Sequence, residues 1–400
     1  MRATISGRIW GVQRMSWGWS NRTERGTAKV MCDVGILTFH CADNFGAMLQ
    51  AYGLKAYLRE KNIKADIIPY EPPFMTGRHW WIPYIPAGSI LKILRRSWKG
   101  WRRNLKLGKF FFERRKNMRQ FREEYLIGTR QRRFFFSFSL ENLHYQYYIV
   151  GSDQIWNPDI TLGLRRVYFG AFKNKNKKKV IAYAASMGKE SLPDEYDMQF
   201  SELIKSVDHI SVRENNAISY INRFYKGKIY SVLDPVFFLQ KDDWQKIEKL
   251  PGEERYIFIY MTERNEELVD YVMKLAKKED LLIINVNGSN EVSGDDILTD
   301  YTAGPAEFLG YIHKADYVVT NSFHGVAFSI IFQKKFIVFQ HSSVGNRISN
   351  ILEVCEMKDK LYQKDREMQI EFQVKWDKVE WCIEKNVRLA EKYLIESLCS

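Results

Sequence analysis

The chain holds only five cysteines in 400 residues, and no two of them stand at CxxC spacing. That argues against a disulfide framework and a structural zinc site, and it fits a reducing cytosol. The histidines at 40, 79, 144, 209, 313 and 341 show no ligand spacing with Cys or Asp, so no metal centre is expected. Neither a GxxxxGK(S/T) phosphate loop nor GxGxxG occurs, which leaves nucleotide binding through those loops without support. The longest apolar runs, such as Tyr256–Met261, are strand-sized, so no membrane span is expected. What is present is a globular composition. Apolar residues make up 45% and aromatics 14%, which excludes a disordered chain, and the length suits about two domains.

The formal net charge of +13 is unevenly spread. Residues 1–30 carry net +5, residues 92–133 carry net +13, and the remainder is net −5. The basic character therefore belongs to two segments and not to the fold, and nucleic acid is not an expected partner. Residues 1–30 show no periodicity and no h-region; they read as a disordered leader or a mis-assigned translation start, since Met31 directly precedes the first apolar run. Residues 70–140 interleave Trp80, Trp81, Trp98, Trp101 and Phe110–Phe112 with Arg and Lys. Three readings compete for this insert: a helical excursion with aromatics packed on the first domain and cations in water, a surface that meets anionic lipid, and, least favoured because no recognised motif accompanies the charge, nucleic-acid binding.

Elsewhere, apolar runs alternate with helical patterns. Val34–Phe39, Ala65–Ile68, Tyr147–Val150, Val180–Ala185 and Ile210–Arg213 read as strands, and Ala47–Lys61 as an amphipathic helix. After a charged boundary at Gln240–Glu254, Tyr256–Met261, Leu281–Val286, Tyr317–Thr320 and Phe336–Phe339 repeat the theme. The expected fold is α/β: two Rossmann-like parallel-sheet domains facing a cleft, over residues 31–245 and 246–370, with a final helix in 371–400. In such folds ligands bind at the carboxyl ends of strands.

Four loops stand at such ends. After Thr320 come Asn321, Ser322, Phe323, His324 and Gly325, followed by a helix expected from Val326. Ser322 is placed to cap that helix, Gly325 to let backbone approach a ligand, and His324 to move a proton beside an anion cradle; a capping or core histidine is the alternative. After Val150 and Gly151, the trio Ser152, Asp153 and Gln154 can hydrogen-bond a hydroxyl-rich ligand, and Trp156 can stack on a sugar face; helix capping is the alternative. Arg213 ends a strand and can clamp phosphate or carboxylate; an ion pair with Glu214 or Asp208 is the alternative. Asn44 and Gly46 open the first helix, and Arg347 is a second cation candidate for the anion.

Together these loops resemble the polysaccharide pyruvyl transferase family. The matching residues are Gly35–His40, Asn44–Ala47 with Leu49–Tyr52, Val150–Asn157, Tyr183–Gly188, Ser211–Arg213, Leu233–Pro235 and Thr320–Gly325. The resemblance runs in order over roughly residues 33 to 350. It implies a fold like a two-domain B-type glycosyltransferase. It also implies transfer of pyruvate from phosphoenolpyruvate, as co-substrate, onto a sugar diol with ketal formation. His324 would be the catalytic acid/base and Arg213 a catalytic and donor-binding cation, with Asn321, Ser322, Gly325 and Arg347 also holding the donor. Asn44, Gly46, Ser152, Asp153, Gln154 and Trp156 would meet the acceptor sugar. An acid/base of pKa near 7 could serve several steps, with no metal or cofactor. The site would be cytoplasmic. The basic insert would shape the acceptor pocket or bring the enzyme to lipid-linked glycans at an anionic membrane face. Two rivals remain open: a sugar-nucleotide-dependent glycosyltransferase on the same frame, and a non-catalytic membrane-surface binding protein.

Overall fold

The structure is a computed structural model that describes residues 33–76, 108–110, 112–129, 131–172, 178–286, 292, 294, 296–341, 345–364 and 374–399. The expected leader at 1–30, residues 92–107 of the basic insert, and Trp80, Trp81, Trp98, Trp101 and Phe111 lie outside the described residues.

Six parallel strands build the first sheet. They are β1 (Asp33–Leu37), β2 (Lys64–Ile67), β3 (Tyr147–Gly151), β4 (Lys179–Ala185), β5 (His209–Val212) and β6 (Ile229–Ser231), in the order β2-β1-β3-β4-β5-β6. Five more build the second: β7 (Tyr256–Tyr260), β8 (Leu282–Asn285), β9 (Ile297–Thr299), β10 (Tyr317–Thr320) and β11 (Lys335–Val338), in the order β11-β10-β7-β8-β9, again parallel. The fold is thus two parallel-sheet α/β lobes, as expected. The second has the Rossmann order; the first has the flavodoxin-like order with one added strand. Strand order reverses between β1 and β3 in one sheet and between β7 and β10 in the other, and ligands of doubly wound sheets sit outside such switch points.

The strands form where they do because helices cover both faces. Every residue of β3, β7 and β10 is buried, which is why they read as continuous apolar runs. Strands β6 and β9 had no such signal: each is three residues long, half exposed and at a sheet edge.

Among the described residues, helices of eight residues or more are α1 (Phe45–Glu60), α2 (112–121), α3 (Asp197–Ile204), α4 (Glu266–Glu279), α5 (Pro305–Lys314), α6 (Phe323–Ile331), α7 (Gly345–Val354) and α8 (Trp376–Cys399). Helix α1 departs from its amphipathic reading. It is buried nearly all round, Gln50 and Lys55 included. The cause is the second lobe, which covers its outer face: the Phe45 ring stacks on Phe308 of α5 at 4.9 Å and lies 5.7 Å from Tyr260 of β7. A Cβ on Gly53 would stand 2.7 Å from the Pro235 carbonyl. Trp244, wholly buried in the linker between the sheets, meets Phe328 of α6 edge-on at 4.9 Å. The lobes therefore share an apolar interior, which resists free hinge motion. Helix α8 packs back on the first lobe, where Tyr393 donates to the Ala182 carbonyl of β4 at 2.9 Å. No described helix is long and apolar enough to cross a membrane.

The described part of the insert corrects the expected sorting of cations outward and aromatics inward. Arg114 of α2 turns inward: its guanidinium covers the Phe45 ring at 4.9 Å, and Nη1 donates to the Val286 carbonyl, at the end of β8, at 3.1 Å. Asn117 donates to the Thr302 carbonyl at 2.9 Å. Helix α2 thus ties the first lobe to the second. Arg122 is buried. By contrast Phe112, Phe135, Phe136 and Phe138 are exposed. The reason is topological: the π-helical turn at Arg122–Leu126 sits against α1, where Lys55 donates to the Tyr125 and Leu126 carbonyls at 3.0 and 2.6 Å.

Candidate active site between the lobes

Strand β10 and helix α6 build the second lobe's share. Thr320 Oγ1 donates to the Tyr260 carbonyl at 2.6 Å and accepts the Ser322 amide at 3.0 Å, which turns the chain at the strand end. Asn321 was expected to hold the donor, but both ends of its carboxamide are engaged. Oδ1 accepts the Thr262 amide at 2.9 Å and Nδ2 donates to the Glu263 carbonyl at 2.7 Å, so it staples β10 to the loop after β7. Helix α6 begins at Phe323, three residues earlier than expected, so His324 lies in its first turn and not in the loop. Ser322 holds the N-cap position without a side-chain capping bond, contrary to expectation. The helix start keeps its partial positive charge uncapped by that hydroxyl. Gly325 serves packing: a Cβ there would stand 2.4 Å from Thr320 Oγ1.

The first lobe meets this helix with bare backbone. Asn44 caps α1, its Oδ1 accepting the Ala47 amide at 3.0 Å. That leaves Gly46 facing the imidazole so closely that a Cβ would lie 2.0 Å from His324 Nδ1. Gly151 ends β3 with φ +136, where a Cβ would strike the Tyr183 carbonyl at 2.0 Å; only glycine fits this turn. The next residue, Ser152, is buried, and its hydroxyl donates to Asp234 Oδ2 at 3.3 Å. The same oxygen accepts Arg213 Nη1 at 2.8 Å and lies 3.9 Å from His324 Nε2. Asp234 was not among the expected site residues. Its signal was the Leu233-Asp234-Pro235 motif, which reads as a helix cap, and Oδ1 does accept the Val236 amide at 3.2 Å.

Arg213, 3% exposed, is the centre of the cluster. Its Nε stands 3.6 Å from Glu214 Oε1, its Nη2 stands 3.9 Å from Asp153 Oδ1, and its plane covers Phe323 at 5.3 Å. The expected alternative partner Asp208 is elsewhere, accepting the Val180 amide. From the second lobe, Arg347 of α7 brings its Nε to 3.7 Å from Glu214 Oε1, and Asn350 donates to the Arg213 carbonyl at 3.4 Å. The switch-point ends of both sheets therefore converge on one cluster.

Its electrostatics follow from burial and charge. Burial works against the Arg213 charge, but Glu214, Asp234 and Asp153 more than offset it and raise its pKa. Burial and then the Arg213 charge lower Arg347 to about 10. Burial, with Arg213 second, lowers His324 to about 3. This corrects the expected value near 7: in the ligand-free site the imidazole is neutral. Burial lifts the Asp234 carboxyl above the ordinary carboxylate range despite the guanidinium. Four buried nitrogens here have no hydrogen-bond partner: Arg213 Nε and Nη2, Arg347 Nε and His324 Nε2. Leaving one such group unmade costs about 1–3 kcal/mol. The arrangement thus keeps donors open in a place where pairing them would be worth that much each.

Two expected acceptor residues turn away. Trp156 is fully buried, stacked on Phe169 at 5.2 Å, and its Nε1 donates to the Tyr168 carbonyl at 2.9 Å, so it offers no face to a sugar. Gln154 Oε1 accepts Asn157 Nδ2 at 2.7 Å, which fixes the loop.

Comparison with known proteins adds the following. Among solved structures, the UDP-GlcNAc 2-epimerase of Methanocaldococcus jannaschii, in complex with UDP-GlcNAc and UDP, is 12% identical, with 89% of this chain and 92% of that one covered at a TM-score of 0.41. That of Neisseria meningitidis, bound to UDP-GlcNAc, is 9% identical, with 92% and 94% covered at 0.42. The E. coli heptosyltransferase WaaC with ADP is 12% identical, with 79% and 89% covered at 0.38. Comparison with curated proteins gave no match. The model of the polysaccharide pyruvyl transferase family matches residues 44–343. This span includes the β1–α1 loop from Asn44 onward, Gly151–Asp153, Arg213, Asp234 and His324, and the chain belongs to that family.

Proposed function

We propose that this protein transfers the pyruvyl group of phosphoenolpyruvate to a sugar diol of a polysaccharide or lipid-linked precursor, forming a cyclic ketal and releasing phosphate. The observation that carries the reading is the set of unpartnered buried nitrogens on Arg213, Arg347 and His324, gathered from both lobes. A small, strongly anionic donor would satisfy them all. Its phosphate and carboxylate bind the two guanidinium groups and the start of α6. The entering negative charge raises the pKa of His324, which takes up a proton and delivers it to the enol carbon. C2 becomes electrophilic and one sugar hydroxyl adds, returning its proton to the imidazole. The second hydroxyl then closes the ring as the C2–O bond to phosphate breaks, and its proton leaves with the phosphate. Asp234 holds Arg213 and faces His324, so it is a positioning residue. Asp153 is the most exposed carboxylate of the cluster, which favours it as the one that meets the acceptor. The donor brings its own leaving group, so the scheme needs no resident metal or cofactor. Cys41, Cys355 and Cys382 are buried and unpaired, which supports a reducing, cytoplasmic setting.

The test is incubation with phosphoenolpyruvate and a panel of glycans, reading phosphate release and pyruvyl mass addition, beside thermal shifts with phosphoenolpyruvate and nucleoside diphosphates. Turnover and a phosphoenolpyruvate shift are expected. Stabilisation by nucleoside diphosphates alone would favour the glycosyltransferase reading.

A further inference from the structure

One loop of the first lobe presents its aromatics to solvent. Its two ends are anchored: Phe134 is buried and bridges Tyr70, and Leu140 is buried. Between them Phe135, Phe136 and Phe138 are 49%, 56% and 67% exposed, with the Phe136 and Phe138 rings stacked at 5.6 Å. Beside them lies a cavity of about 290 Å³ lined by Arg132, Phe134, Phe138 and Leu143, among others. Arg132 is exposed and covers the Phe134 ring at 5.7 Å, and Lys178 donates to the Leu143 carbonyl. The sequence carries three Arg and no acidic residue between 125 and 140, and five Lys between 173 and 179.

We propose that this loop is a membrane-docking element: Phe135, Phe136 and Phe138 enter the interface of an anionic phospholipid bilayer while Arg132 meets lipid phosphate. Two arguments select this occupant. The exposed Arg132 beside the rings, in a stretch without acidic residues, pairs a charge signal with an apolar one, the combination that stable peripheral binding needs. The area is also too small for a second protein. At roughly 200 Å² per ring, three half-exposed rings offer on the order of 350 Å², against roughly 800 Å² per partner in a stable interface. The charge of residues 92–133 alone would give attraction without a fixed orientation. The anchored rings would fix which face meets the lipid, whatever reaction the cleft carries out.

The test is co-sedimentation of the full chain with vesicles of phosphatidylcholine alone or mixed with phosphatidylglycerol, at low and high salt. The wild type should bind the mixed vesicles. The Phe135→Ser/Phe136→Ser/Phe138→Ser variant, altered only at exposed positions, should bind at least about tenfold more weakly while keeping its melting temperature. Arg132→Glu should weaken binding at low salt and lose that effect at high salt. The proposal is overturned if the wild type ignores the mixed vesicles. It is equally overturned if the triple variant binds them as the wild type does, or if the variant's only change is loss of a dimer in light scattering.

Discussion

Two buried imidazoles, His40 and His324, follow the two switch-point strands β1 and β10, and burial holds both at a pKa of about 3. Their neighbours differ in kind. His40 lies inside the first lobe, its Nδ1 3.3 Å from the Thr38 carbonyl. The cations that act on it, Arg122 and Arg133, face Glu71 at 3.8 and 3.5 Å, and Arg133 also meets Glu123 at 2.5 Å, yet Arg122 Nε and His40 Nε2 are themselves without a hydrogen-bond partner. His324 lies between the lobes, against Gly46, with Arg213 and Arg347 keeping donors open. A depressed histidine pKa therefore does not mark a site by itself. What sets His324 apart is its place where residues of both lobes converge, since unpartnered buried nitrogens occur around both rings.

Replacing each ring by Ala tests that contrast most strongly. His324→Ala should lower pyruvyl transfer by about 10²–10⁴-fold, the range for a general acid/base, with a near-unchanged melt. His40→Ala should do the reverse, leaving turnover within a few-fold and lowering stability by about 1–3 kcal/mol through a cavity in the lobe core. Steady-state rates and thermal melts on both variants decide it. Equal loss of turnover in two folded variants would break the comparison.

Gly46→Ala sharpens it with a smaller effect. The new Cβ would overlap the His324 ring, at 2.0 Å from Nδ1 and 2.3 Å from Cγ, so the imidazole must shift. A misplacement of about 1 Å can cost about 10²-fold, so transfer should fall by roughly 10- to 100-fold. The helix itself should not suffer, because Ala is a better helix former than Gly by about 1 kcal/mol. Lost turnover with a fold that persists, destabilised by overpacking by no more than about 1–3 kcal/mol, is the expected result.

Much of this was legible in the sequence, for physical reasons. Strands β3, β7 and β10 are buried on both faces and so appear as apolar runs, whereas β6 and β9 are short edges whose side chains are half exposed. That His324 and Arg213 follow strand ends was readable from the strand–loop–helix pattern. Asp234 was not, because one carboxylate does two jobs: one oxygen caps a turn, as its motif suggests, and the other faces the site. Trp156 shows the limit of residue type, since a tryptophan beside a polar trio turned out to be core. Arg114 and Phe138 invert the usual sorting, because the α2 segment fills the gap between lobes and the loop beyond it stays outside.

The subtlest difference between the two rings concerns protons. Both folded values lie below the ordinary 6.5, so each neutral ring contributes stability that is present above about pH 6.5 and lost as pH falls toward 3. Without ligand both rings thus make the fold acid-sensitive in the same window. The donor should separate them. An anion placed against His324 stabilises the imidazolium and raises its pKa, while His40, inside the first lobe and away from Arg213 and Arg347, feels little of it. Donor binding should therefore take up a proton, and donor affinity should rise as pH falls below neutrality while the protein stays folded. Calorimetry in two buffers of different ionisation enthalpy measures that uptake directly. It should vanish in His324→Gln and persist in His40→Gln. Uptake lost in His40→Gln instead would move the proton-carrying ring into the first lobe.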